Sequence, residues 1–173
     1  MTYPKSFPAC AVFVAFYLQS AGAAEKTVNA LPLVVLSGAD SHCTQPSYEL
    51  IKKSSELTKA WAKHLGTSED DAYRPAMVVD FDRCMVVAIF RGEQGNVRGI
   101  ELEPVIEGNT ALTIRFSDLG YQTGGKSNFK PPDRPYAFIV VPKSSKSIVL
   151  EENVQQYKGQ PPIWNPLAKL PAN

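Results

Sequence analysis

The amino-acid sequence predicts an α+β fold: an antiparallel sheet with one amphipathic helix packed on a face. Three observations lead there. A sustained helical period occurs in one segment, between Pro46 and Leu65. Apolar segments of strand length then follow one another, separated by turns that carry Gly, Pro or Asn. No helical segment stands between those later strands, so crossover connections and a parallel Rossmann-type sheet are excluded.

In chain order, Leu31 to Leu36 reads as a strand, with β-branched Val34 and Val35, and Ser37 to Ser41 as a loop. The helix is expected from near Pro46 to Leu65. Leu50, Ile51, Leu57, Trp61 and Leu65 recur on one face, and Lys52, Lys53, Glu56, Lys59 and Lys63 lie largely off it. Proline suits a first helical turn, where its missing N–H has no helical partner, and Gly66 is the expected stop. An acidic connector follows from Thr67 to Pro75. Cys84 to Phe90 is apolar at consecutive positions, as a strand covered on both faces is. It is therefore the expected central strand, with the helix on one side.

Gly92, Gly95 and Gly99 break the chain at the next turn. Arg98 to Ile106 and Ala111 to Phe116 alternate, with Leu112, Ile114 and Phe116 on one side, and Glu107-Gly108-Asn109 marks a hairpin between them. Leu119 to Pro135 is a long loop. Tyr136 to Val141 and Ser147 to Leu150 are further strands. The tail from Lys158 carries Pro161, Pro162, Pro166 and Pro171, so it is expected to be neither helix nor central strand, with Trp164 pinning it to the body.

The first residues are expected to stand apart from the domain. Lys5 precedes the apolar run Ala9 to Leu18, and Ala21-Gly22-Ala23-Ala24 follows. A positive start, a short apolar stretch and small residues describe a secretory signal peptide over 1–24, cleaved after Ala23 or Ala24. The run is too short to span a bilayer as a helix. Residues 25–157 then form a single domain and 158–173 a Pro-rich tail. A chain of 173 residues suits one domain. Its 18 basic and 17 acidic residues leave no general field for nucleic acid or anionic lipid. Cys43 and Cys84 would remain after cleavage. In an oxidising compartment they are expected to pair, closing a loop of about forty residues for about 4 kcal/mol. The alternative is two separate buried thiols.

Several motifs look like chemistry. Gly120 to Ser127 matches the P-loop pattern G-x-x-x-x-G-K-[ST]. That mechanism needs a helix starting at Lys126, and Pro131, Pro132 and Pro135 follow too closely, so a flexible Gly/Lys loop is the better reading. Asp80 and Asp82 share one face of an extended segment, as a nucleophile and acid would, but a solvated acidic turn explains them more simply. His42, Cys43, His64 and Cys84 fit no common zinc spacing. His64 sits in the last helical turn, where a positive side chain suits the dipole. No metal or other cofactor is expected. Lys126, Lys130, Arg134, Lys143 and Lys146, interleaved with Tyr121, Phe129 and Tyr136, make a locally basic region that could dock an acidic surface.

Three segments in order resemble the PrcB C-terminal domain family, named for an accessory subunit of a bacterial protease complex. Leu57 to His64 looks like its x-x-x-x-Trp-x-x-His helix. Val79 to Glu93 is similar to its V-D-F…V-V-A-V-F-x-G-E strand, and Pro135 to Lys143 to its closing strand. The likeness spans about Ser55 to Ser145. After Gly92-Glu93 the family's T-G-G-Y turn is replaced by Gln94 to Ile100. The resemblance implies a non-enzymatic periplasmic or secreted module that binds another envelope or secreted protein, such as a protease. Gly92, Glu93, Arg98, Tyr121, Lys126, Lys130 and Arg134 are the expected contact residues. A small hydrolase or phosphotransferase using Asp80 and Asp82 is the alternative.

N-terminal sequencing of the protein recovered from its native source tests the leader. The expected first residue is Ala24 or Glu25; an intact Met1 would remove the argument for export.

Overall fold

The structure, a computed structural model, describes residues 26–27, 35–72, 77–121, 132–155, 157 and 159–172. The expected leader, and most of the strand expected at Leu31 to Leu36, lie outside the described residues. Ten strands and one helix follow in the order β1 (Lys26–Thr27), β2 (Val35–Gly38), β3 (Pro46–Ile51), α1 (Ser54–Leu65), β4 (Cys84–Arg91), β5 (Val97–Leu102), β6 (Ile106–Glu107), β7 (Ala111–Gly120), β8 (Tyr136–Pro142), β9 (Ser147–Asn153) and β10 (Trp164–Leu170).

The sequence called for one antiparallel sheet; the structure has two. A four-stranded sheet runs β2-β8-β4-β3, and a six-stranded one runs β1-β6-β7-β9-β10 with β5 also beside β7. The helix lies on the outer face of the four-stranded sheet. The described residues are thus mostly β-sheet with a single helix, in three layers. Pairing is antiparallel except between β7 and β9, which are parallel, with Ala111 opposite Ser147 and Phe116 opposite Glu152. The cause is the route of the chain: after β7 it crosses to the other sheet, returns through β8, and enters β9 in β7's direction. A strand in the other layer does the work of a crossover helix.

β4 explains the layering. Its residues Met85 to Arg91 are all buried. Met85, Val87 and Ile89 enter the core between the sheets with Ile114, Phe116, Ile139, Ile148 and Leu150. Val86, Ala88 and Phe90 enter the core beneath the helix with Leu57, Ala60, Trp61 and Phe138. Successive strand residues point to opposite faces, so a continuous apolar run needs a cover on each. Here one is α1 and the other is the second sheet.

The helix is shorter than expected: it has 12 residues and starts at Ser54 rather than near Pro46. Pro46 to Ile51 is an edge strand beside β4, with Pro46 opposite Arg91 and Ile51 opposite Val86. A period of two competes with the helical one here. Tyr48 and Leu50 pack on the core between the sheets, while Ser47 and Glu49 reach the helix side, where Lys63 Nζ donates to them at 2.8 and 2.6 Å. α1 starts after its N-cap Lys53, and Glu56 Oε2 reaches back to accept the N–H of Lys52, the residue before the cap, at 2.9 Å. It stops where expected. Gly66 adopts φ +68°, and the N–H groups of Gly66 and Thr67 close back on Lys63 and Ala62 in a Schellman turn.

The β6–β7 hairpin follows its Glu107-Gly108-Asn109 signal, and Leu112, Ile114 and Phe116 are buried as the alternation requires. The Pro-rich tail is an edge strand rather than a separate tail. β10 pairs with β9, its register shifts between Pro166 and Ala168, and the Arg115 guanidinium lies 5.2 Å from the Trp164 ring centre. Proline lacks a donor, which an edge tolerates.

The expected Cys43–Cys84 bridge is absent: both are free thiols. The Thr44 carbonyl accepts the Glu93 N–H at 3.2 Å, so Cys43 lies beyond the far end of β4, whereas Cys84 is its first residue. An eight-residue strand spans on the order of 25 Å. A disulfide allows a Cα separation of roughly 7 Å at most.

A charge closes the core between the sheets. Arg91 continues the inward row of Met85, Val87 and Ile89. Its guanidinium holds Asp118 of β7 in two hydrogen bonds, at 3.3 and 3.1 Å, pairs with Glu152 of β9, and reaches Tyr48 Oη of β3 at 3.4 Å. Burial opposes the charge, but Asp118 and Glu152 outweigh it and hold Arg91 more firmly protonated than usual. Arg91→Leu would leave two carboxylates facing each other. The expected loss of stability in urea is about 2–4 kcal/mol, allowing for the partial exposure of both acids; a loss under about 0.5 kcal/mol would mean that the clamp is an ordinary surface pair.

Candidate functional site

At the Arg91 end of the four-stranded sheet, four chain segments meet: 39–44 after β2, 92–97 after β4, Tyr121 after β7, and 132–135 before β8. Backbone bonds stitch them together. Arg134 N–H donates to Ala39 at 2.9 Å and Ser41 N–H to Arg134 at 3.2 Å; Gln94 N–H donates to Asp133 at 2.7 Å and Glu93 N–H to Thr44 at 3.2 Å. Gly92 has φ +69°, and a Cβ there would come within 2.8 Å of the Thr44 carbonyl, so this crossing needs glycine.

Asp133 is the hub. It is buried, and its Oδ2 accepts from the Val97 N–H at 3.0 Å and the Tyr121 hydroxyl at 2.8 Å. On the outside, Arg134 Nη2 donates to Glu93 Oε1 at 2.9 Å. Ala39, Asp40, Ser41 and His42 face Pro132, Asp133 and Arg134 across an open groove of about 440 Å³. Asp40 and His42 of its lining are exposed to solvent.

The structure therefore brings together four of the expected contact residues, Gly92, Glu93, Tyr121 and Arg134. Arg98 is exposed on β5 nearby in the chain, and Lys126 and Lys130 lie outside the described residues, as does most of the P-loop match. The basic region does not hold together as one patch. Arg134 precedes β8 and is paired with Glu93, whereas Lys143 and Lys146 follow β8 at its other end, bonded to the Phe81 carbonyl and Glu107.

Asp80 and Asp82 are also at that other end. Asp80 Oδ1 accepts the Asp82 N–H at 3.0 Å and the Asp80 carbonyl accepts from Arg83 and Cys84, so Asp80 shapes the turn into β4. Among the described residues, no group of three or more His, Cys, Asp or Glu is placed to hold a metal. His42 and Cys43 are separated from Cys84 by the length of β4.

His64 departs from its expected role as a positive helix end. It is buried, with ring centres 4.0 Å from Tyr136, 5.0 Å from Trp61 and 5.9 Å from Phe138, and its Nδ1 has no hydrogen-bond partner among the described residues. Burial pushes its pKa below the ordinary value, against the pull of Asp40 and with a push from His42. Burial, then Asp40, raises the Tyr136 phenol. The His64 carbonyl accepts the His42 N–H at 2.8 Å and the Lys63 carbonyl faces Cys43 Sγ at 3.6 Å, so the helix end carries one wall of the groove.

Sequence reasoning missed Asp133, whose signal was a lone acid in a basic stretch just before a strand. It also missed the aromatic box, whose signal was a histidine three residues after a buried tryptophan. Comparison with family models, curated proteins and solved structures found no match to this chain. No helix among the described residues is long and apolar enough to cross a membrane.

The wall also depends on Gly66. A Cβ there would lie 2.7 Å from the His42 ring, on a backbone of φ +68°. Gly66→Ala is expected to cost about 1–3 kcal/mol in urea unfolding; an unchanged midpoint would show that the His42–Gly66 packing is not tight.

Proposed function

We propose that this chain is an exported, non-enzymatic protein-binding module, related to PrcB-type accessory domains, that engages another envelope or secreted protein through the Arg91 end of the molecule. The observation that carries the reading is the convergence there of Gly92, Glu93, Tyr121 and Arg134. They come from two connections, β4–β5 and β7–β8, which backbone bonds and the Asp133 carboxylate tie together. A preorganised surface of this kind, with Glu93 exposed and Tyr121 and Arg134 half-buried above the buried Gly92, binds with little ordering cost. The use of Asp80 in a turn supports binding over hydrolase or phosphotransferase chemistry at the Asp80–Asp82 pair. A protease is the partner class that the family resemblance suggests.

Immobilised chain from Glu25 onward, incubated with envelope extract of its source, tests this. Arg134→Glu should reduce the retained partner about ten-fold or more, as loss of a contact charge does. Lys59→Glu, on the exposed face of the helix, should leave it unchanged. Equal retention by both variants, or none by the unaltered chain, would overturn the proposal. If the partner is a protease, its activity in the eluate separates assistance from restraint.

A further inference from the structure

We infer that His64 and the aromatic box around it form an acid-sensitive latch, which holds segment 39–44 against the helix at neutral pH and releases it when the imidazole gains a proton. The consequence for a partner rests on the binding surface proposed above; the latch itself does not.

The geometry carries the inference. His64 is 5% exposed and walled by Trp61 from its own helix and by Tyr136 and Phe138 from β8. As neutral imidazole it fits an apolar box, and among the described residues its Nδ1 already lacks a partner there. A proton added at Nδ1 would bring an N–H with no acceptor and a charge into an apolar box, which protein interiors do not tolerate without compensation. The ionisable groups around this helix end are Asp40, His42 and Cys43 from segment 39–44 and Tyr136 from β8. On α1 itself Lys63 turns away, its ammonium held by Glu49 and Ser47. Tyr136 is neutral near pH 7, its phenol raised by burial and then by Asp40. His42 opposes a charge on His64, and Asp40 alone favours one.

Asp40 is exposed at the rim of the groove and belongs to the segment that the His64 backbone holds. Bringing it to the imidazolium, or bringing water there, requires segment 39–44 to leave its place. That segment contributes Asp40, Ser41 and His42 to the groove and Thr44 to the Gly92 crossing. The electrostatic change is local, and the element that it biases is one wall of the groove.

The sign is fixed by the depressed pKa. The unfolded or released imidazole takes its proton near pH 6.5, and the boxed one only below that. The closed state is therefore fully favoured above about pH 6.5, loses ground as the pH falls through that value, and levels off below the pKa of the boxed ring. Each pKa unit of difference is a factor of ten in the closed-to-open ratio.

Amide hydrogen exchange on the full chain tests the latch, with rates converted to protection factors to remove the intrinsic pH dependence. Between about pH 7.5 and about pH 5, protection of the His42 N–H, which bonds to the His64 carbonyl, should fall about ten-fold, while β4 amides keep theirs. In His64→Phe the fall should disappear; if that variant does not fold, His64→Gln should show it halved or less. His42→Gln should retain the fall. An unaltered chain with equal protection at both pH values would overturn the latch. So would a fall that persists in the His64 variants, one that vanishes with His42→Gln, or one shared equally by β4.

Discussion

Burying β4 on both faces is the constraint from which the rest of the architecture follows. Seven successive residues, Met85 to Arg91, are out of solvent, so the strand must have paired neighbours on each edge and a covering layer on each face. β8 and β3 satisfy its backbone. Trp61 and Leu57 of α1 cover Val86, Ala88 and Phe90, and the six-stranded sheet covers Met85, Val87 and Ile89. One twelve-residue helix is enough for the first face, because β8 supplies Phe138 and Val140 to the same core. The second face needs a sheet, and the crossing from β7 through β8 to β9 joins the two layers.

The row that faces the second sheet ends in Arg91. A charge at a core-facing position is costly unless it is paired. Asp118 and Glu152 come from neighbouring parallel strands, so a single guanidinium ties β4 to β7 and β9 at the same end. That is also where β4 leaves the sheet and the connections 39–44, 92–97 and 132–135 meet. Rigidity of the candidate surface is thus inherited from the core beneath it: Arg91 accounts for the clamp below, and Asp133 for the junction above. Between the helix end and this surface stands His64, packed as part of the core yet holding a surface segment through its carbonyl.

Much of this was legible in the residues. The unbroken apolar run of β4 demanded two covers, and Gly66 marked the helix end. The hairpin at Gly108 and the alternation of Leu112, Ile114 and Phe116 also gave their strands correctly. What escaped was whatever depends on contacts distant in sequence. Pro46 to Ile51 carries both a helical and a strand period, and only the open edge of β4 decides between them. Two sheets cannot be told from one when each strand is read alone, because a strand's inner face looks the same in either. The cysteines suggested a bridge through their number and compartment, but their positions at opposite ends of β4 depend on register. Asp133 sits in a stretch whose other charges are basic, and its carboxylate reaches residues 12 and 36 positions away. Of the expected contact residues, Gly92 and Glu93 were readable as a turn; their meeting with Tyr121 and Arg134 was not.

The fold depends on the two-sided packing of β4, and methyl and aromatic NOEs report that packing directly. The chain should show contacts from Met85, Val87 and Ile89 to Ile114, Ile148 and Leu150, and a separate set from Val86 and Ala88 to Leu57 and Trp61. A spectrum in which both sets of β4 side chains met the same neighbours, or in which one set met none, would contradict the three-layer arrangement on which everything else here is built.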